Sequence, residues 1–161
     1  MIMFGNDSGL DTHAPFILDI HDNIDNELYI IVSLSTLGEK DSNLSDVVEN
    51  KVLLDMLKES SPIEIDNNNI FEIIFEKYII YQTLNESYCL HDEYEIGQGK
   101  YFVEIQRSHL LDQLEIFAPV CTADEDGEYY PYKPRHFRII SQNHILEVIS
   151  DKQPIIRKVA K

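Results

Sequence analysis

His136-Phe137-Arg138-Ile139-Ile140-Ser141, then Gln142-Asn143-His144, then Ile145-Leu146-Glu147-Val148-Ile149 is the stretch whose reading decides the fold class. Two runs rich in β-branched and aromatic residues flank a short polar break, which is the signature of an antiparallel hairpin. Pro154-Ile155-Ile156-Arg157-Lys158-Val159 adds an edge strand, with Pro154 at its start, where a missing N–H is tolerated. Upstream, Tyr94-Glu95-Ile96 and Tyr101-Phe102-Val103-Glu104-Ile105 flank Gly97-Gln98-Gly99-Lys100, a second hairpin signal. A third comes from Pro15 to Ile20 and Glu27 to Val32, separated by the turn-like residues 21–26.

Helical signals lie between these hairpins. Ser45 is placed to cap a helix, with Asp46 in its first turn, and Ser60-Ser61-Pro62 ends it. Leu44, Val47, Val48 and Leu54 share one side of that helix and Leu53, Met56 and Leu57 another, so it is expected to pack on more than one side. Ser108 opens a shorter helix with Leu110, Leu111, Leu114 and Phe117 on one face. Asp66-Asn67-Asn68-Asn69 has turn chemistry, and Asn69 with Glu72 fits a capping pair. Ile70, Ile74, Tyr78 and Tyr81 then follow helical spacing, while Tyr78 to Thr83 has strand composition. A short helix running into a strand satisfies both signals. Strands interleaved with two or three helices place the chain in the α+β class, with a mostly antiparallel sheet. No linker or composition break divides residues 1–161, so one domain is expected.

The chain of 161 residues carries a net charge of −16, unevenly distributed. Residues 1–99 hold 20 acidic side chains against 4 basic ones, Lys40, Lys51, Lys58 and Lys77, whereas residues 100–161 hold 9 of each. Such a field repels nucleic acid and anionic membrane and attracts cationic surfaces. No stretch approaches the roughly 18 apolar residues that span a bilayer. Met1 to Leu10 lacks the basic-then-apolar order of a secretory signal, so a cytoplasmic protein with Cys89 and Cys121 reduced is expected.

No phosphate loop or nucleophile elbow occurs, and Gly97-Gln98-Gly99 lacks the third glycine of a dinucleotide fingerprint. His13, His21, His91, His109, His136 and His144 are scattered, with none paired four residues apart. Asp19, His21, Asp22 and Asp25 form the densest ligand-like group; strand alternation sends Asp19 and His21 to one face. His91-Asp92 has the letters of a metal phosphohydrolase dyad without assignable partners. Cys89 and Cys121 both lie in acidic surroundings, which raise a thiol pKa and argue against a nucleophile. The expectation is therefore no enzyme, no cofactor and no bound metal.

Residues 122–132 are more specific. Asp124, Glu125, Asp126 and Glu128 stand beside Tyr129, Tyr130 and Tyr132. Tyrosine supplies contact area at low entropy cost and carboxylates pair bidentately with arginine, a combination suited to a basic protein surface. Asp22, Asp25 and Glu27 at the first turn, and Asp92 and Glu93, extend the candidate partner-binding set.

In profile the chain resembles the immunity proteins of bacterial contact-dependent growth inhibition. The likeness is carried by His136 to Ser141, Ile145 to Ser150 and Pro154 to Ile156, which are similar to the closing strands of several small immunity proteins. It implies neutralisation of a cognate toxin domain, often a basic nuclease, in a tight stoichiometric complex, and it assigns no binding residue. Two other classes fit the composition. One is a DNA-mimicking or other acidic inhibitor from a phage or mobile element. The other is a small divergent metal-dependent hydrolase using His21, Asp22 or His91.

Overall fold

Along Leu28-Tyr29-Ile30-Ile31-Val32 alternate side chains, Leu28, Ile30 and Val32, are fully buried, as the two-residue period of a strand requires. They belong to one of two antiparallel sheets in a computed structural model that describes residues 2–6, 13–40, 50–88, 92–117 and 134–159. The first sheet joins β1 (Phe16–Asp22), β2 (Leu28–Leu37), β3 (Ile63–Phe75) and β9 (Ile155–Lys158), in the order β1-β2-β3-β9. The second has the order β4-β8-β7-β6-β5: β4 (Ile80–Asn85), β8 (His144–Ser150), β7 (Arg135–Ile140), β6 (Phe102–Arg107) and β5 (Ile96–Gln98). Two α-helices are described, α1 (Lys51–Glu59) and α2 (His109–Phe117). The class is α+β and sheet-rich, as the sequence indicates.

The sheets stack face to face. Ile17, Val32, Phe71, Ile73 and Phe75 of the first meet Phe102, Phe137, Ile139, Leu146 and Val148 of the second in one apolar cluster. Phe4 enters this core from the N-terminal segment, its ring edge-on to Phe137 at 5.2 Å and to Phe102 at 5.7 Å. Each fully buried aromatic or aliphatic side chain contributes about 1.5–3 kcal/mol relative to exposure, so this cluster is the main source of stability. A polar clasp also links the sheets. The Asn143 side chain, in the β7–β8 turn, accepts from Ile17 N–H at 3.2 Å and donates to Ile17 C=O at 2.9 Å. Gln142 N–H donates to Pro15 C=O beside it.

All three hairpins and the edge strand form, but in the second hairpin the first arm is Ile96–Gln98 and not Tyr94–Ile96, so Gly97 and Gln98 lie in the strand and not in the turn. The β5–β6 turn depends on Gly99, whose φ of +105° and 2.4 Å approach of a notional Cβ to Phe102 O leave room for glycine alone. The helix expected from Asn69 does not form: residues 63–75 are one long strand. Asp66 to Asn69 keep their turn chemistry inside that strand. Asn68 N–H donates to Asp66 Oδ1, Asn69 Nδ2 donates to Asp66 Oδ2, and the Ser33 hydroxyl donates to Asp66 C=O. The register jumps there, from Ser33 opposite Ile70 to Ser35 opposite Ile65, so the segment is a bulge.

The described part of α1 also departs from expectation. It begins at Lys51, with Asn50 accepting from Val52 and Leu53 N–H, and none of its residues is buried. Val52, Leu53 and Met56 are exposed, so α1 does not pack on several sides. Ser45 and the apolar positions 44, 47 and 48 lie outside the described residues.

Candidate functional site

Strand alternation gives the β4-β8-β7-β6-β5 sheet a second face, directed away from the core. Cross-strand register places Ile80, Ile149, His136 and Ile105 in one row of that face and Gln82, Glu147, Arg138 and Val103 in the next. Helix α2 covers the first row: Leu110 and Leu114 pack on Ile149, with Ile79, Ile80 and Leu111 around them. Ser108 holds the helix start, its hydroxyl accepting from Leu111 N–H at 3.1 Å and lying 2.8 Å from His136 Nδ1. The second row is left as the floor of an open concavity.

Arg138 is the centre of that floor. Its Nη1 donates to Glu95 at 2.7 Å, its Nε to Glu147 at 2.8 Å, and its Nη2 also pairs with Glu147. Gln82 Nε2 donates to the other Glu147 oxygen at 2.6 Å. Burial opposes the Arg138 charge, but the hydrogen bond to Glu95 and the attraction of Glu147 outweigh it, so the guanidinium is held charged. Both carboxylates thereby converge on one arginine, and Glu147 also accepts from Gln82.

Above this floor lie two adjoining cavities that share Asp92, Glu95 and Arg138. The larger, about 520 Å³, is walled by Glu86 and Asp92 and floored by Val103, Ile140 and Ile145. The smaller, about 280 Å³, reaches His109, Gln113 and Tyr88. At the rim a stack fixes the 92–95 segment to α2. Arg107 lies over the Tyr94 ring at 4.6 Å, and Tyr94 stacks on His109 at 4.5 Å. His109 Nε2 meets Asp92 Oδ2 at 2.9 Å, and Tyr94 OH donates to Asp112 at 2.7 Å. That hydrogen bond raises the Tyr94 pKa.

Ser108, His136 and Glu147 bring together the residue types of a hydrolytic triad, but not its geometry. Ser108 and His136 are wholly buried, and the hydroxyl serves as the helix cap. His136 Nε2 stands 3.7 Å from Glu147, beyond hydrogen-bond reach. Burial lowers the His136 pKa to about 4, and the attraction of Glu147 only partly offsets it.

The candidate partner-binding residues fall on different elements. Asp22, Asp25 and Glu27 gather at the β1–β2 turn. There Glu27 Oε2 accepts from Tyr29 OH at 2.7 Å and from Asn23 Nδ2 at 2.8 Å, bonds that lower its pKa. Asp22 accepts from Tyr78 OH at 2.6 Å, which pushes the tyrosine up to about 12. Asp25 is exposed. Asp92 lines the cavities of the other sheet, with exposed Glu93 beside it. Asp124, Glu125, Asp126, Glu128, Tyr129, Tyr130 and Tyr132 lie outside the described residues, as do Cys89, His91 and Cys121.

Asp19 and His21 do share a face, but they turn to each other. His21 Nδ1 sits 2.8 Å from Asp19 Oδ2, and its ring stacks on Tyr29 at 5.2 Å. Among the described residues no group of three or more His, Cys, Asp or Glu is placed to hold a metal ion. No helix among them is long and apolar enough to cross a membrane.

Sequence reasoning passed over Glu86, Glu95, Arg138 and Glu147. A signal for two of them was present: Arg138 and Glu147 are opposite charges flanked by apolar residues and stand opposite each other about the 141–144 turn. Compared with protein-family models, curated proteins and solved structures, the chain has no match.

Proposed function

We propose that this chain is a binding protein of the toxin–immunity kind and not an enzyme. It neutralises a basic toxin domain, of the nuclease type, by forming a tight one-to-one complex in the bacterial cytoplasm. The observation that carries this reading is the charge: a net −16 whose whole excess belongs to residues 1–99. A nuclease attracts phosphate and so presents a cationic cleft, and a partner of opposite sign is steered to it. Asp22 and Glu27 of the β1–β2 turn, and Asp92, are held in fixed positions by Tyr78, Tyr29, Asn23 and His109. Pre-ordered side chains lose less entropy on binding, which favours affinity.

The test is whether the reading frame directly upstream encodes a large secreted protein ending in a variable toxin domain, followed by co-expression with that domain and calorimetry on the purified pair. Restored growth and a stoichiometry of about one are expected of a neutralising complex of this kind. Cells that die at the same rate with and without the chain would refute the reading.

A further inference from the structure

We infer that the larger cavity on the outer face of the β4-β8-β7-β6-β5 sheet receives one long basic side chain of the protein partner. The inference rests on the reading of a basic partner and adds where, and by what chemistry, that partner is anchored. The cavity has the two-part character of an arginine or lysine side chain. Beside Arg138 its floor is aliphatic, formed by Val103, Ile140 and Ile145 from three adjacent strands. Its wall is anionic, formed by Glu86 and Asp92. Basic side chains bury their methylene stems along apolar surface while the charged head stays with polar partners. The volume of about 520 Å³ lies within the range of about 300–1,000 Å³ usual for ligand sites.

The two cations that line the cavity do not reverse its sign. Arg138 is paired with both Glu95 and Glu147, so its charge is already balanced within the floor. Lys100 lies with Nζ 4.8 Å from the Tyr101 ring centroid, an aromatic face that satisfies part of its charge. A wholly apolar occupant would strip water from Glu86 and Asp92 without replacing it, which is costly for ionised groups. A long side chain with a cationic tip satisfies wall and floor together. Asp92 is also locked by His109 and by Tyr94 N–H at 2.8 Å, so the wall is ordered before binding.

The experiment is methyl and amide NMR of the whole chain, titrated with N-acetyl-arginine N-methylamide, and separately with guanidinium chloride at matched ionic strength. The blocked arginine is expected to shift the methyl signals of Val103, Ile140 and Ile145. Guanidinium, which lacks the stem, should act on them about fivefold more weakly, as loss of one or more buried methylenes implies. Glu86→Gln, at an exposed position, should weaken the blocked arginine about threefold, the scale of a surface ion pair. Methyl signals that stay put, that respond equally to both probes, or that yield to shifts confined to Asp22 and Asp25 overturn the inference. Formation of the complex with the basic toxin domain is a separate readout, so the broader reading stands or falls independently.

Discussion

His136 is buried and neutral at pH 7, and its Nε2 has no hydrogen-bond partner among the described residues. Its folded-state pKa of about 4 lies below the ordinary value of 6.5. As the pH falls through 6.5 the unfolded chain binds a proton that the folded chain refuses, so this histidine removes stability down to its folded pKa. The loss has a slope of up to about 1.4 kcal/mol per pH unit. His136→Asn should flatten the urea-unfolding stability of the chain between pH 6.5 and 4 relative to the parent, and an unchanged difference across that window would contradict the assignment. Glu147 poses the opposite case, a nearly buried anion shared by Arg138 and Gln82. Glu147→Ala leaves Arg138 with Glu95 alone and should cost about 3 kcal/mol in urea unfolding at pH 7. At this scale the Arg138–Glu147 facing pair follows from the hairpin register, yet sequence reasoning passed over both residues. Their convergence with Glu95 and Gln82 was not legible, because it depends on strands that are distant in sequence.

Element by element, the hairpins were readable because turn residues and β-formers agree with each other. The β3 strand was not. Its apolar residues serve both faces: Phe71, Ile73 and Phe75 enter the core while Ile74 is also buried on the other side, so strand alternation is erased. Ile70, Ile74, Tyr78 and Tyr81 matched a helical period by accident of spacing. Asp66 to Asn69 form the local side-chain bonds of turn residues, but these shape a bulge within the strand and not a turn or a helix cap. The Asn143 clasp gives a test at this level. Asn143→Ala removes both bonds to Ile17 and should cost about 1–2 kcal/mol, with faster amide exchange at Ile17 than at Ile30. Asn50→Ala removes the α1 cap and should fray that helix, costing about 1 kcal/mol locally. Because α1 buries nothing, the urea midpoint should scarcely move.

At the scale of the molecule, two stacked sheets supply a rigid frame and leave one face half covered by α2. The uncovered half gathers Glu86, Asp92, Glu95 and Glu147 around Arg138, in a chain whose net charge is −16. Acidity was legible from composition, but its arrangement into a cavity with an aliphatic floor required the three-dimensional register. Charge of this sign and size bears on encounter with a partner more than on the strength of final contacts. The central claim is therefore tested most directly by stopped-flow association with the cognate toxin domain, across a series of salt concentrations. An association rate constant falling about tenfold or more between about 20 and 500 mM salt is expected, since screening shortens the reach of the field. A rate constant that does not change over that range would contradict it.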